Sequence, residues 1–427
     1  MRNDKNKELL KRFHENGLCL PFSDEYDLLG TSLSLYGKTL KNRIGILPLE
    51  GFDSNADGSP SEYVKRRYLR FVKGGAGLVW FEACAVSPDG KSNPFQMMLT
   101  KDNMTAFNKL IKEMDDEASA INEAPVFKVL QLTHSGRMSK NADWDPIPLA
   151  AKGLNDPEDV TIASDERIKR MIKEHIEAAQ YAYEAGFDAV DIKFCHGYFL
   201  SELLSAFNRE GEFGGSFENR TRALFSIIDG IKERLNDKIG ICVRLNAYDS
   251  VPFPYGFGII NDNGVLKADL SETVKICKML ADKGVKLINL SASSPKERLF
   301  GSPVKEAGLK RYEQGYDLLY ATKLIKEAVP DVTIMCTGLS GFNTIGPYIA
   351  AGGIKEGWFD IAGFGRQGLA CPGFAHDILS GKELQSGNIC TGCGQCFALM
   401  DAHSKTGCIV RDKDIYFPLY QKYILKK

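Results

Sequence analysis

The chain of 427 residues has almost no surplus charge, no long apolar run and no cysteine pattern of the kind that builds a disulfide framework. Its 54 Lys and Arg are balanced by 55 Asp and Glu, spread along the sequence, so no field of one sign is present to gather nucleic acid or anionic lipid. No segment reaches the roughly 18 uninterrupted apolar residues of a membrane-spanning helix. The N-terminus, MRNDKNKELLKRFHENG, lacks the apolar core of a signal peptide. These absences predict a soluble, cytoplasmic protein with no nucleic-acid or membrane partner, acting on a small, partly apolar molecule. Of the eleven cysteines, seven are scattered among apolar segments and four cluster near the C-terminus, which favours free thiols plus one metal site.

Between Arg43 and about Pro372, short apolar or β-branched runs alternate with amphipathic stretches of helical length. Eight strands are expected: Arg43–Leu49, Gly77–Val86, Val126–Thr133, Ala189–Phe194, Gly240–Leu245, Leu287–Leu290, Val332–Cys336 and Phe359–Phe364. Each is nearly all apolar, as parallel strands buried on both faces are. Helices such as Ser61–Lys73, Glu166–Ala185 and Thr273–Lys283 carry apolar residues at three- and four-residue spacing and end at Gly74, Gly186 and Gly284. Eight βα units predict an α/β fold of the (β/α)8 TIM-barrel type. A doubly wound open sheet is the alternative, but its G-x-G-x-x-G fingerprint is missing. Three regions are expected: an N-terminal extension (1–40) with a cap over the barrel bottom, the barrel (41–380) and a four-cysteine segment (381–427). Tyr248–Gly264, rich in Pro, Gly and aromatics, reads as a long loop after strand five, either a lid or substrate wall or an ordered surface loop.

The stretches NRIGILPLEG, GLVWFEACAVSP, LQLTHSGR, DIKFCHGYFLSELLS, GGSFENRTR, VRLN and FGRQ, in that order from Asn42 to Ala375, resemble the Old Yellow Enzyme family of FMN-dependent reductases. The resemblance implies a flavin in the barrel mouth. Such a cofactor needs donors for its pyrimidine edge, a cation near N1 and a phosphate cradle. Gln131 would pair with the flavin amide edge, or is a satisfied buried polar residue. Arg244 would stabilise charge at N1/O2, or pairs with a buried carboxylate. Ala83 would let the ring lie close to the backbone, with Pro48 and Leu49 on its other side. Gly338, Gly365 and Arg366 match the family's phosphate site between the last two strands.

In the family, two side chains of the strand-four loop bind a substrate carbonyl and a tyrosine two residues on delivers a proton; the matching positions are Lys193, His196 and Tyr198. Polarising the carbonyl makes the β-carbon electrophilic towards hydride from flavin N5, and Tyr198 then protonates the α-carbon. The family has histidine where Lys193 stands, so this lysine either supplies a charged donor or pairs with an acidic neighbour. Glu50 departs too, from the Thr or Cys frequent there, and is expected to pair with Lys193 or Arg244. His134 and Arg137 would lie near the flavin rim, or His134 is structural.

Cys390, Cys393, Cys396 and Cys408 form C-x2-C-x2-C-x11-C, a spacing that suits a [4Fe–4S] cluster better than zinc, whose sites more often show two separated knuckles. The spacing resembles the iron–sulfur branch of the family, represented by 2,4-dienoyl-CoA reductase and trimethylamine dehydrogenase. The expected activity is reduction of an α,β-unsaturated carbonyl compound, with electrons from a ferredoxin or flavoprotein through the cluster, or from NAD(P)H directly. The alternatives are an amine dehydrogenase passing electrons outward and an electron-transfer subunit without reductase activity.

Overall fold

The computed structural model describes residues 2–151, 160–249, 251–292, 298–382, 384 and 386–426. Eight parallel strands form one sheet: β1 (Ile44–Ile46), β2 (Leu78–Ala85), β3 (Phe127–Thr133), β4 (Ala189–Phe194), β5 (Gly240–Asn246), β6 (Leu287–Ser291), β7 (Thr333–Met335) and β8 (Ala362–Phe364). Consecutive strands are neighbours, and β8 pairs with β1. A parallel bridge between Met335 and Ile361 joins β7 to the segment entering β8 and closes the cylinder. The expected (β/α)8 barrel is therefore the fold, and all eight strands lie where the apolar runs fall, several shorter by one to four residues.

Helices α1 (Arg2–Glu15), α2 (Glu62–Lys73), α3 (Met104–Ala120), α4 (Asp165–Ala185), α5 (Phe199–Leu204), α6 (Phe217–Leu235), α7 (Ser271–Asp282), α8 (Glu313–Ala328) and α9 (Gly346–Lys355) accompany the strands. Ser61, Ser164 and Ser216 cap α2, α4 and α6 by accepting N–H bonds from the first turn. Gly186 ends α4 in the left-handed conformation (φ 96°), which a glycine adopts without strain. Gly74 closes α2 differently: its φ is −75°, and a side chain there would run into the Pro372 carbonyl.

Two apolar cores result. The larger lies between strands and helices; the smaller fills the barrel's lower interior with Leu78, Trp80, Phe127, Val129, Leu287 and Met335. Leu35 and Leu40 of an N-terminal hairpin (Leu33–Leu35 with Lys38–Leu40) join that inner core, and Tyr36 reaches the Ile241 carbonyl, so the hairpin plugs the barrel's lower end. The segment after β5 is no simple loop: Ile259–Asp262 pairs antiparallel with Val265–Ala268 around a turn at Asn263 and Gly264, both at positive φ. Beyond β8 the chain adds α10 (Arg366–Ala370), α11 (Phe374–Leu379), α12 (Gln395–Asp401) and α13 (Lys413–Tyr420). Asp412, beside α13, takes a two-pronged hydrogen bond from Arg66 (2.8 Å each) and a further one from Arg70, fastening this tail to α2.

Candidate active site

A cavity of about 980 Å³ opens at the ends of the strands, where barrel loops converge. Pro48, Leu49, Glu50, Ala83, Gln131, Lys193, His196, Tyr198, Arg244, Gly338, Gly365 and Arg366 all line it. The register break between Trp80 and Ala83 in β2 sets Ala83 opposite Gln131, so two of these residues depend on a local bulge. His196 and Gly197 both have positive φ, and this paired left-handed turn after β4 delivers Tyr198 to the start of α5.

Glu50 gathers three donors on the wall between β1 and β4. Its Oε1 accepts from the Tyr198 hydroxyl at 2.7 Å and lies 3.5 Å from Lys193 Nζ; its Oε2 accepts from Ser92 Oγ at 2.8 Å. Lys193 Nζ also lies 3.2 Å from the centroid of the Tyr198 ring, a cation–π contact. Burial, then the Glu50 charge, pushes the Tyr198 phenol well above its usual range. Burial lowers the Lys193 ammonium, against the pull of Glu50. His196 Nε2 is 2.6 Å from Ser291 Oγ, and burial with the charges of Arg244 and Lys193 keeps the imidazole neutral at physiological pH.

Asp191, on the barrel axis, organises the opposite side. Its carboxylate accepts from Gln131 Nε2 (2.6 Å), Trp80 Nε1 (2.9 Å) and the Arg244 backbone N–H (2.6 Å), while burial raises it to about 6. Arg244 forms no ion pair among the described residues, and its buried Nε has no hydrogen-bond partner. Arg67 Nε and Thr133 Oγ1 are unpaired too, but unlike them Arg244 lines the cavity, where a ligand can reach its open N–H. On the β7–β8 side, Ser340 Oγ receives the Gly365 and Gln367 N–H groups, at 3.1 and 3.2 Å, and Gly338 has φ 107°, which favours glycine. These residues fit a flavin mononucleotide: an open cation towards the base edge, a small Ala83 and a glycine-rich wall.

Phe397, Met400, Asp401 and His403 of the tail also line the cavity, so the C-terminal segment roofs the barrel mouth. His403 stacks on Trp144 at 4.0 Å, and Thr406 N–H donates to the Gly51 carbonyl at 2.7 Å. Gln367 ties the same segment to β8, accepting from Cys390 N–H and donating to the Asn388 carbonyl, both at 2.8 Å. Every cysteine is a free thiol. Cys390 and Cys393 lie within electrostatic reach of Cys396, whose thiol is raised mainly by burial, and Cys408 Sγ accepts from Arg411 N–H at 3.4 Å. Among the described residues no three His, Cys, Asp or Glu side chains are grouped so as to hold a metal ion, the four tail cysteines included.

Arg137 reaches the cavity rim, whereas His134 does not: it is buried, held by Gly136 N–H and beside Arg167, and burial lowers it to about 3. Its role is structural. Among the described residues of the Tyr248–Gly264 segment only Tyr248 lines the cavity; Phe253 and Tyr255 are exposed. Reading the residues alone missed Ser92, Asp191, Ser291 and the tail's roof. Asp191 did carry a signal, as a lone carboxylate inside an apolar strand.

The residues 31–293 match the NADH:flavin oxidoreductase / NADH oxidase family, and the chain belongs to it. It is a flavin oxidoreductase. NADPH dehydrogenase of Bacillus subtilis (strain 168) is 28% identical over 352 residues, covering 81% of this chain and 93% of that protein. NADH oxidase of Thermoanaerobacter brockii is 27% identical over 406 residues, 91% of this chain but 57% of the relative. A 2-naphthoyl-CoA reductase complex shares the fold with a TM-score of 0.74 at 22% identity, covering 90% of this chain and 57% of that one. The chain thus spans little more than half the length of these two larger proteins. No helix among the described residues is long and apolar enough to cross a membrane.

Proposed function

We propose that the protein is an FMN-dependent ene-reductase acting on an α,β-unsaturated carbonyl compound. The observation that carries this reading is Arg244, buried with an unpaired Nε, lining the same cavity as His196 and Tyr198. Bound there, FMN supplies hydride from its N5. Gln131, through its free carbonyl oxygen, and Arg244 bind the base edge; Pro48, Leu49, Glu50 and Ala83 flank the ring; Gly338, Gly365 and Arg366 take the phosphate. His196 Nε2 and Ser291 Oγ share a hydrogen bond; in the tautomer where the serine donates, the His196 proton sits on Nδ1, the donor that a carbonyl oxygen needs. Tyr198 gives the α-carbon its proton.

The cavity wall carries Arg137, Lys140, Lys193, Arg244, Arg311 and Arg366 against Glu50 and Asp401. Most of these cations have partners, Arg137 with Glu202 and Lys193 with Glu50, and Arg244 and Arg366 are assigned to FMN, so the wall's net charge does not choose between a carbonyl and an amine substrate. Cys390, Cys393, Cys396 and Cys408 would hold a [4Fe–4S] cluster, which supplies single electrons from a ferredoxin or flavoprotein; NAD(P)H is the other donor.

The test is an absorbance spectrum of anaerobically purified protein with iron and sulfide assayed together, followed by mixing the NADPH- or dithionite-reduced sample with cyclohex-2-enone. Flavin bands, broad absorption near about 400 nm, roughly four irons per chain and reoxidation by the enone are expected. Protein that takes up no FMN overturns the reductase reading; a flavoprotein free of iron removes the cluster alone.

A further inference from the structure

We infer that Glu50 and Lys193 form a relay behind Tyr198, Glu50 returning the proton that the tyrosine gives away and Lys193 holding the charge left on its ring. The inference rests on the ene-reductase reading and assigns both residues to the proton half of that reaction. Glu50 is then a positioning residue that acts through Tyr198.

The geometry is a chain with one inner and one outer end. Tyr198 OH donates to Glu50 Oε1, Ser92 Oγ holds Oε2, and Lys193 Nζ sits between the carboxylate and the tyrosine ring. Lys193 and Glu50 side chains are 4% and 11% exposed, so of these two the carboxylate is nearer water, and Tyr198 is half-buried like Glu50. The groups facing Glu50 are Tyr198 at the start of α5, Lys193 on β4, Ser92 after β2 and, behind the wall, Glu82 on β2; Arg244 lies beyond Lys193.

During reduction a hydride is added to the β-carbon and the Tyr198 proton to the α-carbon, saturating the double bond. The tyrosine is left as a phenolate in a buried site beside a carboxylate, which is unfavourable in both respects. Lys193, over the ring, offsets that charge. A proton entering from solvent onto Glu50 then passes along the 2.7 Å hydrogen bond to the phenolate, restoring the starting state. Hydride electrons come from the reduced cofactor and are replaced by NAD(P)H or a one-electron carrier, so the relay moves protons only. A lysine committed in this way leaves carbonyl binding to His196.

Chemical rescue tests it. Glu50→Ala should lower steady-state turnover of cyclohex-2-enone at least about 10-fold, within the usual range for acid–base groups. Added formate, a small carboxylic acid that fits the vacated space, should restore at least about a third of the lost rate. Glu50→Gln, which fills that space with a group unable to ionise, should be slow with or without formate. Independently of turnover, the Cζ resonance of 13C-labelled Tyr198, assigned with Tyr198→Phe, should titrate at lower pH in Glu50→Gln because a neighbouring negative charge is gone. Wild-type turnover in both Glu50 variants overturns the relay, as does loss without formate rescue. Should Glu50→Ala fail to fold, an unmoved Tyr198 titration in Glu50→Gln overturns it instead. Wild-type turnover by Tyr198→Phe would strike the underlying proton-donor assignment, a different failure.

Discussion

Two buried clusters in this barrel each set carboxylates against a cation and a tyrosine, and they sit on either side of the loop after β1. One is Glu50 with Lys193 and Tyr198, on the cavity wall. The other lies behind it: Arg67 donates to Asp53 (2.6 Å) and Glu82 (2.9 Å), Gly51 N–H donates to Glu82 (2.6 Å), and Tyr68 OH accepts from the Glu82 backbone N–H (2.9 Å). The choice of cation differs with the setting. The sealed cluster uses arginine, which stays charged at any attainable pH; the cavity cluster uses lysine, whose proton is held less tightly because of burial. Permanent charge suits a cluster that must never change state. An adjustable one suits a group next to a reaction.

The sharpest way to break the comparison is to remove both cations. Arg67→Met leaves Asp53 and Glu82 buried without a countercharge and should cost about 3–5 kcal/mol of stability, read from the denaturant midpoint at pH 8. Lys193→Met should cost less than about half of that, because Glu50 keeps Tyr198 and Ser92 as donors. Equal losses would mean that the cavity cluster is as structural as the sealed one.

A second difference is in pH. Burial, opposed by Arg67 and reinforced by the Asp53 charge, raises Glu82 from 4.5 to about 7. A carboxyl group raised in the folded state binds more protons there than in the unfolded chain between those two values. Its contribution is complete below about pH 4.5 and is lost as pH rises through 7. Across that window the Glu82 contribution, read as wild type minus Glu82→Gln so that the oppositely directed buried histidines cancel, should therefore fall by roughly 2–3 kcal/mol. A difference that stays flat from about pH 5 to 8 would show that Glu82 stays ionised beside Arg67.

Much of the fold was legible because parallel barrel strands are buried on both faces and so stand out as apolar runs. The cavity residues were legible for a related reason: the barrel fixes strand ends as the reacting face, which places Gln131 and Arg244, while Tyr198 and the roles of all three came from the family resemblance of the loops. The hairpin after β5 went unread although IINDNGVLKA carries the Asn–Gly turn signal between alternating residues. Asp191 was passed over because its three donors come from three strands, and nothing local announces them. The tail's roof depends on contacts such as His403 with Trp144, 259 positions apart in the chain, which no local pattern encodes.

The smallest effect concerns the outer end of the cavity cluster. Ser92 Oγ donates to Glu50 Oε2 and accepts from Asn93 Nδ2 at 3.1 Å. Ser92→Ala removes one donor from a carboxylate that retains two, so stability should drop by only about 1 kcal/mol. If Ser92 merely steadies Glu50, turnover should fall less than about threefold, since Tyr198 and Lys193 still fix Oε1. A fall approaching that of Glu50→Ala would make the serine hydroxyl part of the proton's route and extend the cavity cluster one residue towards solvent. Among the described residues no serine plays that part in the sealed cluster, where the partners of Arg67 are Asp53 and Glu82, both buried.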